Sequence, residues 1–586
     1  VRNRDAFPFV PWEEQRLAVL SWAAMGVLFV LVFRLFVLQV VQGGAFEKQA
    51  KINSTNVLPL LAPRGIVFGK NGDDDVVLMD NVPRFSLFYS HQEGADSESL
   101  ENELGRLLPK DAKRIRKKIA RARYSGKMIR LVTNIPPTLA MTLMERRFFY
   151  RGVDVLAEPQ RRDRLGRSAC HWLGYVDEVD DADLRAGGVK SGQMVGKAGL
   201  EKSFDRWLRG TDGGLQLETD SVGRHVQVLR QIPSVPGADV YATLDERVQR
   251  AAEEGLAHSP SGRGAAVALD PRTGAVLALV SAPSFDPAEN MGAYLEDPAL
   301  PLFNRALRGA YPPGSLFKIV TAVAGFQEGG WDTKTSWTCN GSFPYGARVF
   351  KCWKKEGHGR LDFWGAVAWS CNVYFFQMGL KVGPASLESW ARTFGFGEKT
   401  GVDLSSEAIG LVPSPAWKKK ILKQVWVGGD TLNMSIGQGA VSVTPIQAAV
   451  FLAAVANGGT LWSPWTVRRV EGAGRKILFQ QTPKVRRRVV LDPRTWGLIH
   501  RAMEGVVQTG SGHVVFRPDL VIGAKTGTAQ NPHGEDHAWF GAYAGKPGEP
   551  SSLVVVVLVE NGGGGSSVAG PVVRDMIAAY FPGETR

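Results

Sequence analysis

From Leu17 to Phe33 the chain runs without a charged side chain, and after Arg34 the apolar character resumes through Val41. No other stretch limits the architecture as severely. As a helix rising 1.5 Å per residue it reaches about 35 Å, enough to cross a hydrocarbon core of about 30 Å with some tilt. It is too long for an ordinary signal-peptide core and reads as an uncleaved signal anchor over 17–41. Arg34, near the far end, can snorkel toward headgroups or pair with a membrane partner. Positive-inside counting leaves the orientation open, because Arg2, Arg4 and Arg16 in the leading 1–16 tail are offset by Asp5, Glu13 and Glu14.

The remainder is large enough for several domains: the chain has 586 residues, 44% hydrophobic and 22% charged, a globular balance. A turn-rich link at 233–237 divides it into a mixed α/β segment over 42–237, with short strands such as Phe85 to Tyr89, and a second unit over 238–586. In that second unit, Ala265 to Leu269, the turn Asp270-Pro271-Arg272-Thr273-Gly274, and Ala275 to Val280 predict a β-hairpin. Helices follow at Leu316 to Gln327 and Pro445 to Ala456. Strands return at Ala538 to Tyr543 and Leu553 to Val559, before a last helix near Val572 to Tyr580. Strands at both ends around a helical centre fit an α+β sandwich of helices around an antiparallel sheet. The formal net charge of +13 suits anionic lipid headgroups or an anionic polymer. Nucleic acid is not the expected partner. The densest basic run, Lys110 to Arg130, alternates with Ile115, Ile119, Ala120 and Ala122 like the solvated face of an amphipathic helix.

Three short polar motifs carry the chemistry. Ser315 and Lys318 follow Pro312-Pro313-Gly314; Ser370-Cys371-Asn372 comes next, then Lys525-Thr526-Gly527-Thr528. Each match alone is weak, but all three in this order point to an acyl-serine enzyme. A serine hydroxyl needs a neighbouring base to act as a nucleophile. Three residues apart on a helix, the Lys318 amine is expected to reach the Ser315 hydroxyl. Burial, the positive end of the helix and a second cation at Lys525 would all lower its pKa toward that of a usable base. Ser370 is then the candidate proton relay. Lys525 to Thr528 reads as the start of an exposed strand, with Gly527 permitting close substrate approach. The amides of Ser315 and Thr528 are candidates for an oxyanion hole.

These motifs resemble those of penicillin-binding proteins, the transpeptidases that cross-link bacterial peptidoglycan. The resemblance extends to Asn304-Arg305, to Gly437-Gln438-Gly439 with Thr444-Pro445-Ile446-Gln447, and to His537-Ala538-Trp539-Phe540-Gly541. Pro63-Arg64-Gly65 and Gly196-Lys197-Ala198-Gly199-Leu200-Glu201 resemble the family's non-catalytic amino-terminal region. One departure is Gly69-Lys70, where relatives usually carry Asp-Arg. No Glu-Asp-x-x-Phe-x-x-His-x-Gly run of a glycosyltransferase is present, so the chain resembles class B: one transpeptidase unit (238–586) on an extended pedestal (42–237) behind a single anchor. By this resemblance Ser315 attacks a D-Ala–D-Ala donor stem and an amine from a neighbouring stem resolves the ester. Asn372 would position the donor amide, Thr526 and Thr528 its carboxylate, with Lys525 supplying charge and Gly527 access. β-Lactams would acylate Ser315. The resemblance places the catalytic bulk outside the cytoplasmic membrane, with 1–16 as a cytoplasmic tail. Rival functions are a septal division transpeptidase, a D,D-carboxypeptidase or β-lactamase, and a non-catalytic scaffold for a glycosyltransferase.

Three of the four cysteines surround a histidine: Cys339, Cys352, His358 and Cys371, at intervals of twelve, five and twelve residues. Three thiolates and an imidazole suit a closed tetrahedral zinc site. The competing reading is a Cys339–Cys352 disulfide with Cys371 a buried thiol. The stretch Trp353-Lys354-Lys355-Glu356-Gly357-His358-Gly359 resembles the elongation branch of class B, some members of which carry zinc beside this motif. It also implies a RodA-type (SEDS) glycosyltransferase and the elongation complex as partners. Cys170 most simply packs as a small apolar residue.

Overall fold

The structure, a computed structural model, describes residues 11–44, 55–91, 96–125, 128–146, 148–190, 192–219, 225–289, 291–532 and 534–583. Most of the 1–16 tail therefore lies outside the described residues. Helix α1 (Pro11–Phe36) continues into a wider turn at Val37–Val41. The helical stretch Arg16–Val41 is long and apolar enough to cross a membrane. Leu17, Trp22, Phe29 and Phe33 are all more than half exposed, a surface suited to lipid rather than water.

By packing, the chain forms two compact units that interleave along the sequence. The first takes residues up to Ala62, Pro83–Pro159 and Thr211–Val235; the second takes Pro63–Val82, Gln160–Gly210 and Pro236–Arg586. In the first unit, Thr55–Leu60, Gly213–Thr219 and His225–Ile232 form an antiparallel sheet. A separate core gathers Leu87, Leu100, Leu104, Ile115, Ile119 and Leu131. The basic run behaves as expected over Ala112–Ser125, burying Ile115, Ile119 and Ala122. It stops short of the expected end, however, and Ala120 is exposed. Arg130 lies in the strand Ile129–Ile135, where its guanidinium donates to both carboxylate oxygens of Glu158 at 3.0 and 2.6 Å.

The second unit is built on five antiparallel strands: β1 (Gly264–Leu269), β2 (Val276–Ala282), β3 (Val521–Ala529), β4 (His537–Gly545) and β5 (Leu553–Val559). Their order is β2-β1-β5-β4-β3, which leaves β3 at an edge. Its helices include, in chain order, α2 (Glu246–Ala257), α3 (Lys318–Gln327), α4 (Asn372–Thr393), α5 (Pro445–Ala456) and α6 (Gly570–Tyr580). Alternation decides which face each strand residue covers. Val554, Val556 and Leu558 of β5 join the core containing α5 and α3, whereas Val555, Val557 and Val559 join Val248, Ala252, Val572 and Met576 of α2 and α6. Both faces of β5 are buried, so its sequence is apolar throughout rather than alternating.

Part of the amino-terminal region belongs to this unit. The strand Val67–Asn71 pairs in parallel with Asp239–Asp245. Arg64 and Arg161 meet the fully buried Glu201 at 2.5 and 2.6 Å, and Arg64 reaches Asp205 at 2.8 Å. Pro63-Arg64-Gly65 and the Gly-Leu-Glu motif thus form one buried ionic cluster. At the departure from the family pattern, Lys70 stands 3.4 Å from Asp75, its partner across a hairpin, and both are partly exposed.

Candidate active site

Gly314 takes φ +53°, a conformation glycine adopts without strain, and starts a tight turn over Gly314–Phe317 from which α3 continues at Lys318. The expected helix start at Leu316 is therefore a 3₁₀ turn carrying Ser315. Two glycines make room for it. A Cβ on Gly437 (φ +70°) would lie 2.2 Å from the Gly314 carbonyl oxygen, and the Gly314 amide donates to the Gly437 carbonyl at 3.0 Å. On the other side, a Cβ on Gly314 would lie 2.9 Å from the Thr528 carbonyl oxygen. The serine turn is thus clasped between the Gly437-Gln438-Gly439 loop and the edge strand β3.

The three motifs meet in one cleft of about 770 Å³, lined by Ser315, Ser370, Asn372, Thr526, Gly527 and Thr528 among others. Lys318 and Lys525 lie beneath it, both fully buried. Lys318 Nζ donates to the Ser370 carbonyl at 2.8 Å, to Ser370 Oγ at 3.2 Å and to Asn372 Oδ1 at 2.7 Å. Lys525 Nζ donates to Ser370 Oγ at 2.8 Å and to the Thr526 carbonyl at 2.9 Å. The expectation that Lys318 binds the Ser315 hydroxyl directly needs correction: its partners all come from the middle motif. Such contacts commonly tighten only around bound substrate. Ser370 itself is held at φ +53°, an uncommon left-handed conformation for a non-glycine residue and of the kind that clusters at functional sites.

Burial pulls the Lys318 amine down to about 8, although the nearby Cys352, Cys371 and Cys339 sulfurs oppose the change. Lys525 is pushed well below the usual lysine range, first by burial and then by the Lys318 charge. Two ammonium ions cannot comfortably share one buried hydroxyl. The arrangement favours one neutral amine, which can accept the Ser370 proton.

Sequence reasoning missed several supports. Ser511 Oγ hydrogen-bonds Thr526 Oγ1 at 2.7 Å, and Ser566 Oγ donates to the Ser511 carbonyl at 2.6 Å. A Cβ on Gly565 would sit 2.3 Å from the Gly527 carbonyl oxygen, so only glycine fits. The run Gly562 to Gly565 was the one available signal, marking close backbone approach without saying to what.

Cys339, Cys352, His358 and Cys371 also converge, their ligand atoms all within 4.8 Å of one another. None of the four cysteines is joined in a disulfide in this structure. His358 Nδ1 stands 3.6 Å from both Cys339 Sγ and Cys352 Sγ. Zinc with Zn–S of about 2.3 Å and Zn–N of about 2.0 Å demands tetrahedral edges of about that length, so the donor set fits such an ion. Within the cluster, the hydrogen bond from the Cys371 thiol holds Cys352 down to about 4 and correspondingly raises Cys371.

A serine turn opening a helix, beside two buried amines that share one relay hydroxyl, is machinery for acyl transfer through a serine ester, and the helix–sheet–helix sandwich around it is that of the penicillin-recognising serine enzymes. Comparison with known proteins agrees. Residues 264–578 match the family described as penicillin binding protein transpeptidase domain, and residues 59–242 match the penicillin-binding protein dimerisation domain. The peptidoglycan D,D-transpeptidase MrdA of Acinetobacter baumannii is 34% identical over 86% of this chain and 76% of its own length. Penicillin-binding protein 2 of Helicobacter pylori, solved in complex with MreC, superposes with a TM-score of 0.77 at 26% identity, over 90% of this chain and 99% of that one. A chain from a structure described as structural coordination of polymerization and crosslinking by a peptidoglycan synthase complex gives 0.71 at 32%, over 97% and 99%. The chain belongs to the penicillin-binding protein transpeptidase family, and within it is most like the class B protein penicillin-binding protein 2.

Proposed function

We propose that this chain is a peptidoglycan D,D-transpeptidase that cross-links stem peptides during cell elongation, anchored in the cytoplasmic membrane with its catalytic unit on the outer side. The observation carrying this reading is Ser370 Oγ placed between Lys318 Nζ at 3.2 Å and Lys525 Nζ at 2.8 Å, in the same cleft as Ser315. Uncharged Lys318 takes the Ser315 proton as Oγ attacks the D-Ala–D-Ala carbonyl. The amides of Ser315 and Thr528 receive the developing oxyanion. As the C–N bond breaks, the proton passes through Ser370 to the departing D-alanine nitrogen. An acceptor amine then attacks the ester: a C–N bond forms, the bond to Ser315 Oγ breaks, and a proton returns to the serine by the same route. Asn372 can position the donor amide because its own Nδ2 is fixed on the Lys351 carbonyl at 3.2 Å. Thr526 and Thr528 hold the donor carboxylate.

Fluorescent penicillin is the direct test. The wild-type chain is expected to label covalently and Ser315→Ala not at all; labelling of that variant at the wild-type rate sinks the assignment. Slow release of the label separates a transpeptidase from a β-lactamase, which would turn over a chromogenic β-lactam rapidly.

Cys339, Cys352, His358 and Cys371 would hold a structural zinc. When bound, the ion supplies a closed cross-link that ties Cys371, and with it Ser370 and Asn372, to the preceding loop. Protein purified without chelator is expected to carry about one zinc per chain, as such closed sites do, and Cys339→Ser to lose it. Metal-free protein with an intact disulfide would end the proposal. A RodA-type glycosyltransferase is the proposed membrane partner, supported by the class B organisation and the exposed apolar α1. Co-purification with such a partner should disappear when 17–41 is replaced by an unrelated span.

A further inference from the structure

The sulfurs of Cys339, Cys352 and Cys371 lie within 4.8 Å of one another beside the cleft and are joined in no disulfide. Their surroundings are not equivalent. Cys352 lines the cleft and is 5% exposed, against 2% for Cys339 and 1% for Cys371. A small molecule entering the cleft therefore meets the Cys352 sulfur first. That sulfur accepts hydrogen bonds from the Cys371 thiol and from the Asn372 amide. Toward Cys339, by contrast, it shares the imidazole of His358, whose Nδ1 stands 3.6 Å from each sulfur. Cys352 and Cys371 are thus the directly touching pair. Cys371 stands between Ser370 and Asn372 and caps the amino end of α4.

We propose that Cys352 and Cys371 form a modification site, at which a hydroperoxide entering the cleft leaves a disulfide that switches off acylation. The inference goes beyond the transpeptidase reading and takes from it only the activity that is lost. With hydrogen peroxide, the Cys352 sulfur attacks one peroxide oxygen. An S–O bond forms, the O–O bond breaks, and the departing oxygen leaves as water with the thiol proton. The Cys371 sulfur then attacks the sulfenic acid: an S–S bond forms, the S–O bond breaks, and hydroxide leaves as water with the Cys371 proton. Both thiols are oxidised and the peroxide is reduced. With zinc in the cluster, solvent supplies the protons, and the loss of two donors releases the ion.

An S–S bond is about 2.05 Å long, so closing the pair draws Cys371 toward the loop that carries Cys352. Ser370 and Asn372 are its chain neighbours and must move with it. They also supply every partner of Lys318 Nζ given above. A displacement of about 1 Å in such a group costs on the order of 10²-fold in rate. Outside the cytoplasm, where the proposed topology puts this cleft, no glutathione or thioredoxin pool keeps thiols reduced.

The test uses the full chain in detergent, purified without chelator and treated with hydrogen peroxide. Remaining thiols are alkylated and the disulfide is placed by peptide mass mapping, while zinc release and penicillin labelling are followed alongside. The expected result is a Cys352–Cys371 disulfide, formed together with zinc release and a fall in labelling rate of about tenfold or more. Dithiothreitol with added zinc should restore labelling. Prior acylation of Ser315 by penicillin fills the cleft and should slow disulfide formation severalfold. Cys170→Ala, which removes the thiol outside the cluster, should oxidise as the wild type does. Sulfinic or sulfonic acids without a disulfide, or a disulfide that joins Cys339 or Cys170, would overturn the proposal. So would unchanged labelling of the oxidised protein, or no protection by penicillin. Failure of Ser315 to label before oxidant is added would instead overturn the transpeptidase reading. Zinc missing from protein with free thiols would overturn the metal, and the mass map judges the thiol pair in either case.

Discussion

At the scale of single residues the tension lies in Lys318 and Lys525, two amines that the fold buries completely. A base must be uncharged to act, so acylation by a β-lactam should rise with pH and level off above about 8, where Lys318 loses its proton, rather than near the 10.5 of an ordinary lysine. A stopped-flow pH profile of acylation checks this, and a plateau appearing only above pH 10 would contradict it. The same shift affects stability with a definite sign. A lysine whose pKa is lowered in the folded state contributes least at low pH, so stability should fall as pH drops from about 10.5 to about 8 and then become flat with respect to this group. Deprotonation at about 8 rather than 10.5 corresponds to about 3 kcal/mol of burial penalty below that window. Lys318→Met removes the penalty but leaves the Ser370 carbonyl and Asn372 Oδ1 without a donor, a loss of similar size. The variant should therefore fail to acylate while its melting temperature moves by only a few degrees. A collapse in stability would show the amine to be chiefly structural.

At the scale of elements, the parts legible in the sequence are those decided by local rules. Pro445 to Ala456 is helical with the expected bounds because Thr444 and Gln447 form a reciprocal capping box and Pro445 sits in the first turn. Leu553 to Val559 is a strand because an uninterrupted apolar run, mostly valine, suits a position covered on both faces. The meeting of the three motifs was expected, but the detail of it was not. Nothing local to Ser370 announces a left-handed residue, and nothing near Ser511 or Gly565 announces that they back β3. Those features exist only once distant segments pack, and close backbone approach leaves no periodic trace. The Gly437 contact gives the sharpest consequence. Gly437→Ala puts a methyl group 2.2 Å from the Gly314 carbonyl at a φ that alanine disfavours, so the serine turn must shift. We expect a loss of about tenfold or more in β-lactam acylation rate, since small displacements of a nucleophile are costly. Far-ultraviolet circular dichroism should be unchanged. Gly458→Ala, where a Cβ meets nothing within 4 Å, controls for the backbone strain alone.

At the scale of the whole molecule, the turn-rich link at 233–237 suggests in sequence that a catalytic unit starts at 238, whereas packing distributes its core more widely. Val67, Leu78, Met79, Trp172, Leu173, Leu200 and Leu208 share one cluster with Val267, Phe317, Phe375 and Val556. A fully buried side chain of these kinds is worth about 1.5–3 kcal/mol, so removing all seven forfeits on the order of 10 kcal/mol or more. That is comparable with the entire stability of a typical domain, about 5–15 kcal/mol. The loss would also strip Asp239–Asp245 of its parallel partner Val67–Asn71, exposing a strand edge prone to pairing with other chains. A fragment spanning 238–586 should therefore aggregate, or melt at least about 10 °C below a fragment that begins at Pro63. Only the longer fragment should take up fluorescent penicillin stoichiometrically. If the shorter one melted within a few degrees of the longer and labelled fully, the amino-terminal segments would be passengers on an autonomous catalytic unit. The buried Arg64–Glu201–Arg161 cluster would then be dispensable as well, because its members lie wholly in the segments the cut removes.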